Sequence, residues 1–285
     1  MSENQSIENY PSSLEIKKLE IKKIVDLIRK LLQLVRNSHH IKYPWDNRRM
    51  NMMIFEMVSL VGYQIEQIEG VLCIAENNLY LYPSAFVISR TVLEINILIE
   101  WMLNPEEEFK RIIRYIRYLK TQLYKINHYE EWMLASDITK LDKNEITANK
   151  QHIERDIDEM TLAAKDYKIS LDLLSNIKNI PDLQDMIKEN HQDEKQAEIK
   201  MAYYVLSKFS HGMRQSIYRY HDPNFESHDP ISDWNYPLYI SYSSIIASSQ
   251  ILIHRFSNGL DKFNSEIAPI LLEISNVMSK VFIET

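Results

Sequence analysis

The stretch AFVISRTVLEINILIEWML, Ala85 to Leu103, decides the fold. It is apolar nearly all round except for Arg90, Glu94, Asn96 and Glu100. A helix with apolar residues on every side has to be surrounded by other elements, so this one is expected at the centre of the molecule. Upstream, Pro83 and Ser84 restart the chain after a long helical pattern from about Arg48 to Asn77. At 1.5 Å per residue that pattern spans roughly 45 Å, the scale of a bundle. A break at Asn37 to Asn47, holding His39, His40, Pro44 and Trp45, separates it from an amphipathic stretch at Leu14 to Val35. There, leucines and isoleucines recur at helical spacing with lysines between them.

Downstream, Asn104 is expected as an N-cap, with Pro105 at the first helical position and Glu106, Glu107 and Glu108 against the positive helix end. The helix so opened is predicted to run to about Ala135. Ser136 to Asp166 is highly charged with sparse apolar positions, which predicts a peripheral helical excursion. Short helical pieces follow at Leu171 to Ile177 and Asp182 to Asn190, then a stronger helix from about Glu194 to Tyr220, ended by Asp222 and Pro223. His221 to Pro237 reads as an ordered loop, and two last helices are predicted near Leu238 to Asn258 and Ser265 to Phe282. Pro269 is placed in the first turn of the latter, with a kink in one longer helix as the alternative. There is no repeat of solenoid period and no alternating run long enough for a sheet. The reading is an all-α, single-domain bundle of about eight or nine helices over residues 13–285, behind a disordered lead at 1–12.

Composition narrows the function classes. Of 285 residues, 45% are hydrophobic and 26% charged, an ordinary globular mixture. Only four are glycine, where usage of about 7% predicts roughly twenty. No Gly-rich phosphate loop of the dinucleotide or P-loop kind can be written, and no cofactor is expected. A net charge of −7 argues against a broad electrostatic grip on nucleic acid, although a local basic stripe stays open. The single cysteine, Cys73, excludes an internal disulfide or a cysteine-based zinc site, and no disulfide-linked partner is expected. The polar start lacks a signal-peptide pattern, so a cytoplasmic protein is expected. Tyr236 to Ile253 carries no charge over nearly a bilayer's width, but its serines at 241, 243, 244, 248 and 249 would be costly facing lipid. Small residues on a buried helix, where neighbours approach closely, explain it without a membrane.

Three constellations are candidates for chemistry. Arg90 and Glu94 stand four apart on the central helix and share a face, either as a structural pair fixing register or as part of a charged site. Arg111, Arg114 and Arg117 alternate with Tyr115 and Tyr118, a pattern that suits phosphate binding and stacking but equally a stripe snorkelling from the bundle surface or answering Glu106 to Glu108. Ser207 and His211 lie one turn apart, with Arg214 on the histidine's face and Arg219 and His221 beyond. The paired His-Asp-Pro triplets at His221 and His228 offer nitrogen and oxygen ligands, yet Asp-Pro is first of all turn chemistry, and no metal site is expected.

Two resemblances attach to these residues. Arg90-Thr91-Val92-Leu93-Glu94, the following Arg111 to Tyr115 helix, and Leu206-Ser207 with His211 resemble a family of bacterial all-helical proteins known only as a domain of unknown function, over about Met50 to His221. That implies an all-helical cytoplasmic protein without an assigned activity. Arg214 followed by six residues and His221 is similar to the R-x(4 to 6)-H motif of HEPN ribonucleases, helical proteins of toxin and phage-defence systems. That family implies metal-independent RNA cleavage by a homodimer with the motif at its interface, Arg214 and His221 being catalytic. Two functional readings lead, with an interaction scaffold whose acidic face docks a partner as a third that has no specific residue signal. One is a binding or regulatory protein whose pocket of Arg90, Glu94, Arg114, Arg117, Ser207, His211 and Arg214 holds an anionic small molecule or partner. The other is a HEPN-like ribonuclease.

Overall fold

The computed structural model describes residues 13–38, 48–135, 143–169, 179–210 and 230–282. Among them are nine α-helices, two short 3-10 turns and no strand. The helices are α1 (Ser13–Ser38), α2 (Arg48–Asn77), α3 (Tyr82–Leu103), α4 (Glu108–Ala135), α5 (Lys143–Asp166), α6 (Leu183–Asn190), α7 (Asp193–Ser210), α8 (Asn235–Phe256) and α9 (Leu260–Phe282). The chain is all-α, as its apolar periodicity requires, and no described helix is long and apolar enough to cross a membrane.

α3 is the axle of the bundle. α8, α2, α7, α6 and α4 all pack on it, while α1 and α9 pair with each other outside α2 and α8. Its Val92, Ile97, Ile99, Trp101 and Leu103 are completely buried. The serines of α8 serve the close approach expected of them: Ser241, Ser244, Ser248 and Ser249 are buried. Ser89 and Ser241 both donate to the Pro237 carbonyl, at 3.2 and 2.6 Å, and Ser248 donates to Asn96 Oδ1 at 2.9 Å. These three bonds offset the cost of burying their hydroxyls, on the order of 1–3 kcal/mol each. A cross-brace from Arg29 of α1 to Glu76 and Glu69 ties α1 to α2.

Three boundaries differ from expectation, one of them being α8, which begins at Asn235 after a 3-10 turn at Pro230–Trp234, inside the stretch read as a loop to Pro237. Asn104 does not open α4; it closes α3, its backbone N–H reaching the Glu100 carbonyl at 2.8 Å. Pro105 cannot extend that ladder, so the chain turns through Glu106 and Glu107 and α4 begins at Glu108. Arginines take up carbonyls at the end of α3 and in the turn that follows it. Arg114 Nη1 donates to the Trp101 carbonyl, Arg255 to those of Leu103 and Asn104 at 3.0 and 2.6 Å, and Arg111 to those of Pro105 and Glu106, both at 2.7 Å. Cations belong at this negative helix end. The third difference is Pro269, which lies inside a single α9 running from Leu260, so the alternative of one longer helix holds.

Candidate functional site

The structure sorts the expected site residues into two groups about three helical turns apart along α3. Arg90 forms the first. Its Nε donates to Glu94 Oε1 at 2.9 Å, the i, i+4 pairing read from the sequence. Its Nη2 donates to the Tyr203 hydroxyl of α7 at 2.6 Å, and the guanidinium lies 4.9 Å from that ring's centre. Ser207, one turn further along α7, donates to the Tyr203 carbonyl at 2.6 Å. Arg90 is about four-fifths buried, so its charge is compensated in the α3–α7 seam by carboxylate and phenol together.

Arg114 and Arg117 belong to the second group. Their guanidiniums lie 4.9 and 5.3 Å from the ring centre of buried Trp101. Arg114 also meets Glu189 Oε2 at 3.1 Å and Asn190 Oδ1 at 3.3 Å, while the Trp101 indole donates to the same Glu189 oxygen at 2.7 Å. Arg117 donates to the Asn179 carbonyl at 3.2 Å. Burial, with Arg117 alongside, draws the Arg114 guanidinium below its usual pKa, and Glu189 opposes that. Burial does the same to Arg111, helped by nearby Arg255. The arginine stripe of α4 therefore ties α3, α4 and α6 together at the end of α3. Arg90 and Glu94 are not joined by Arg114 or Arg117. His211, Arg214 and His221 lie outside the described residues.

A cavity that no motif announced lies between these elements. α7 and α8 both pack on α3 but hardly touch each other, and the space between them is a groove of about 350 Å³. Leu93, Asn96 and Glu100 form its floor. Lys195, Glu198, Ile199, Met201 and Ala202 of α7 make one wall, and Tyr236, Tyr239, Ile240, Ser243, Ser244 and Ala247 of α8 make the other. The walls are mostly apolar, and the lips carry exposed Met201, Tyr236 and Tyr239. Tyr239 meets Tyr242 edge to face at 5.5 Å, and burial pushes the Tyr242 hydroxyl up to about 12.

The charged groups of the lining are Lys195, Glu198 and Glu100. Lys195 Nζ pairs with Glu198 Oε2 at 3.0 Å, which leaves the lining with one further carboxylate, Glu100. His191, the residue that closes α6, donates its Nε2 to Glu100 Oε2 at 3.1 Å, since a carboxylate only accepts. Asn96 and Glu100 were visible in the sequence as polar interruptions of an apolar helix. The divergence of α7 from α8 that opens the space above them is a tertiary fact with no local signal.

No group of three or more metal-ligating side chains occurs among the described residues. No curated protein and no solved structure matches the chain. Residues 55–229, from the second turn of α2 through α7 and beyond, match the model of a family of unknown function, DUF5677, and the chain belongs to that family.

Proposed function

We propose that the protein is a binding protein whose ligand enters the groove between α7 and α8. The observation that carries this is the groove itself: a mostly apolar trough of about 350 Å³ whose lining includes three charged groups, Glu100, Lys195 and Glu198. Small-molecule sites are typically about 300–1,000 Å³, apolar in lining, with few convergent polar groups. Once Lys195 and Glu198 are paired, Glu100 is the remaining carboxylate of the lining, and while accepting from His191 it keeps acceptor capacity for one further donor. That favours a neutral or cationic ligand with an aromatic or aliphatic body. The arginines expected to hold an anion are already engaged, Arg90 by Glu94 and Tyr203, Arg114 by Glu189 and the Trp101 carbonyl.

The test uses 2-phenylethylamine, 2-phenylethanol and phenylacetate, which share a body and differ in charge. The amine and the alcohol at millimolar concentration are expected to raise Tm by a few degrees and phenylacetate to leave it unchanged, because a ligand that binds only the folded state stabilises it. Ala247→Trp fills the groove from α8 and is expected to remove the effect while the variant stays helical. No shift with any compound, an equal shift with phenylacetate, or a shift that survives Ala247→Trp would overturn the reading.

The ribonuclease reading rests on the sequence positions of Arg214 and His221. It is tested by incubating the protein with structured and single-stranded RNA in chelator beside Arg214→Ala and His221→Ala. Cleavage lost in both variants supports it, and intact RNA counts against it.

A further inference from the structure

α4 outruns the bundle. Its buried side chains, Ile112, Tyr115, Ile116, Tyr118 and Leu119, end at Thr121, and no described residue of α4 beyond that point is buried. The remaining residues, to Ala135, extend about 21 Å at 1.5 Å per residue. α5 runs alongside, with Lys150 3.8 Å from Glu130; its Ile153 and Ile157 are partly buried against the core, and its fully buried side chains are Met160, Ala163 and Ala164. Two antiparallel helices thus stand out from the body as an arm.

The outer face of this arm is aromatic. Tyr124 is 60% exposed, Tyr129 43% and Trp132 55%. Tyr124 stacks on His128 with ring centres 6.3 Å apart, and Tyr129 on Trp132 at 6.2 Å. Acidic residues outnumber basic ones over 122–135 and 143–158, so neither nucleic acid nor an anionic membrane is the matching surface. The sequence around His128 is self-complementary. Four residues to either side stand Tyr124 and Trp132, and three to either side stand Lys125 and Glu131. Two copies of α4 packed antiparallel about a two-fold axis at His128 bring each Tyr124 level with Trp132 of the second copy and each Lys125 level with Glu131 of the second copy. That is the requirement of an isologous interface, in which one patch meets itself.

We infer that a second copy of this chain docks here, arm against arm. At the exposures above, each aromatic side chain offers on the order of 100 Å². With His128, the Lys125 stem and Glu131, the pair buries roughly 1,100 Å² in total, at the lower edge of specific interfaces. An interface of this size belongs to the weak, transient class, so the test spans the micromolar range.

Sedimentation equilibrium of the full chain from about 1 to 300 µM tests this. A monomer–dimer equilibrium is expected, with Trp132→Ala and Tyr124→Ala each raising Kd at least about tenfold while helical content is unchanged. Lys125→Glu and Glu131→Lys each weaken the dimer, and the double variant returns Kd to within about threefold of the wild type, since exchanging the two charges restores the pairing. A monomer throughout the range overturns the inference. So does a dimer indifferent to Trp132→Ala and Tyr124→Ala, or a double charge variant no tighter than the single ones.

Discussion

Replacing Arg114 by methionine removes a guanidinium while keeping most of the stem that packs beside Trp101. The loss has three parts. The Trp101 carbonyl sits at the end of α3 over a fully buried indole, and a hydrogen bond from a charged donor to such a group contributes about 1.5–3 kcal/mol. The stacking of Arg114 on Trp101 at 4.9 Å adds about 0.5–1 kcal/mol. The Glu189 contact adds less than about 1 kcal/mol, because that carboxylate is 41% exposed and can hydrate. Together these give roughly 3 kcal/mol, or a fall in Tm of about 5–10 °C for a chain this long. Urea unfolding followed by far-UV circular dichroism measures the first figure and calorimetry the second. Arg117→Met is the control: it reaches Trp101 at 5.3 Å and a carbonyl at 3.2 Å from the open side, and is expected to cost about 1 kcal/mol or less. A loss below about 1 kcal/mol for Arg114→Met, or equal losses for the two variants, would refute the view that arginines complete the end of α3.

Two further predictions concern α4 and α9. Burial raises the Tyr115 and Tyr118 hydroxyls above their ordinary pKa, with Glu56 adding to both, and Tyr118 donates to Glu56 Oε1 at 2.6 Å. A raised folded-state pKa means that the stabilisation is full below the unfolded value near 10 and is lost as pH climbs past it. Tyr118→Phe should therefore cost about 1 kcal/mol at pH 8. The gap to the wild type should narrow by pH 11 in urea titrations at both values, and a gap that holds or widens contradicts the assignment. Pro269 is exposed and lacks the N–H that would meet the Ser265 carbonyl, so Pro269→Ala should raise stability by about 1–3 kcal/mol, and a fall in Tm would contradict that.

Local pattern carried most of the helices. α2 has the limits that its periodicity gave, and α6 opens at Asp182, whose side chain accepts from the Asp185 N–H at 2.9 Å. The reading failed where two rules competed for the same residues. Asn104-Pro105 has the composition of a helix start, but the apolar run before it continues the α3 ladder through Asn104, and a helix already under way takes the residue as its end. Pro269 was misplaced in the same way, because a proline within an amphipathic stretch reads as a beginning even when buried residues on both sides, Phe263 and Ile274, hold one helix across it.

The site was legible only as pairs on one helix. Arg90 and Glu94 meet as their spacing required, but Tyr203 completes that pair from more than a hundred residues away. The α4 arginines looked like an anion site because sequence shows their charge and not the backbone carbonyls they reach. The groove depends on α3 carrying two helices that diverge above Leu93, Asn96 and Glu100, and nothing local encodes a divergence.

The most direct test of the binding proposal is a ¹H–¹⁵N correlation titration of the protein with 2-phenylethylamine. Shifts confined to amides of Leu93, Asn96, Ile199, Ala202, Ser243 and Ala247, saturating with one site and absent in Ala247→Trp, are the predicted result. Shifts scattered over the surface, or none at millimolar amine, would contradict the groove as a binding site.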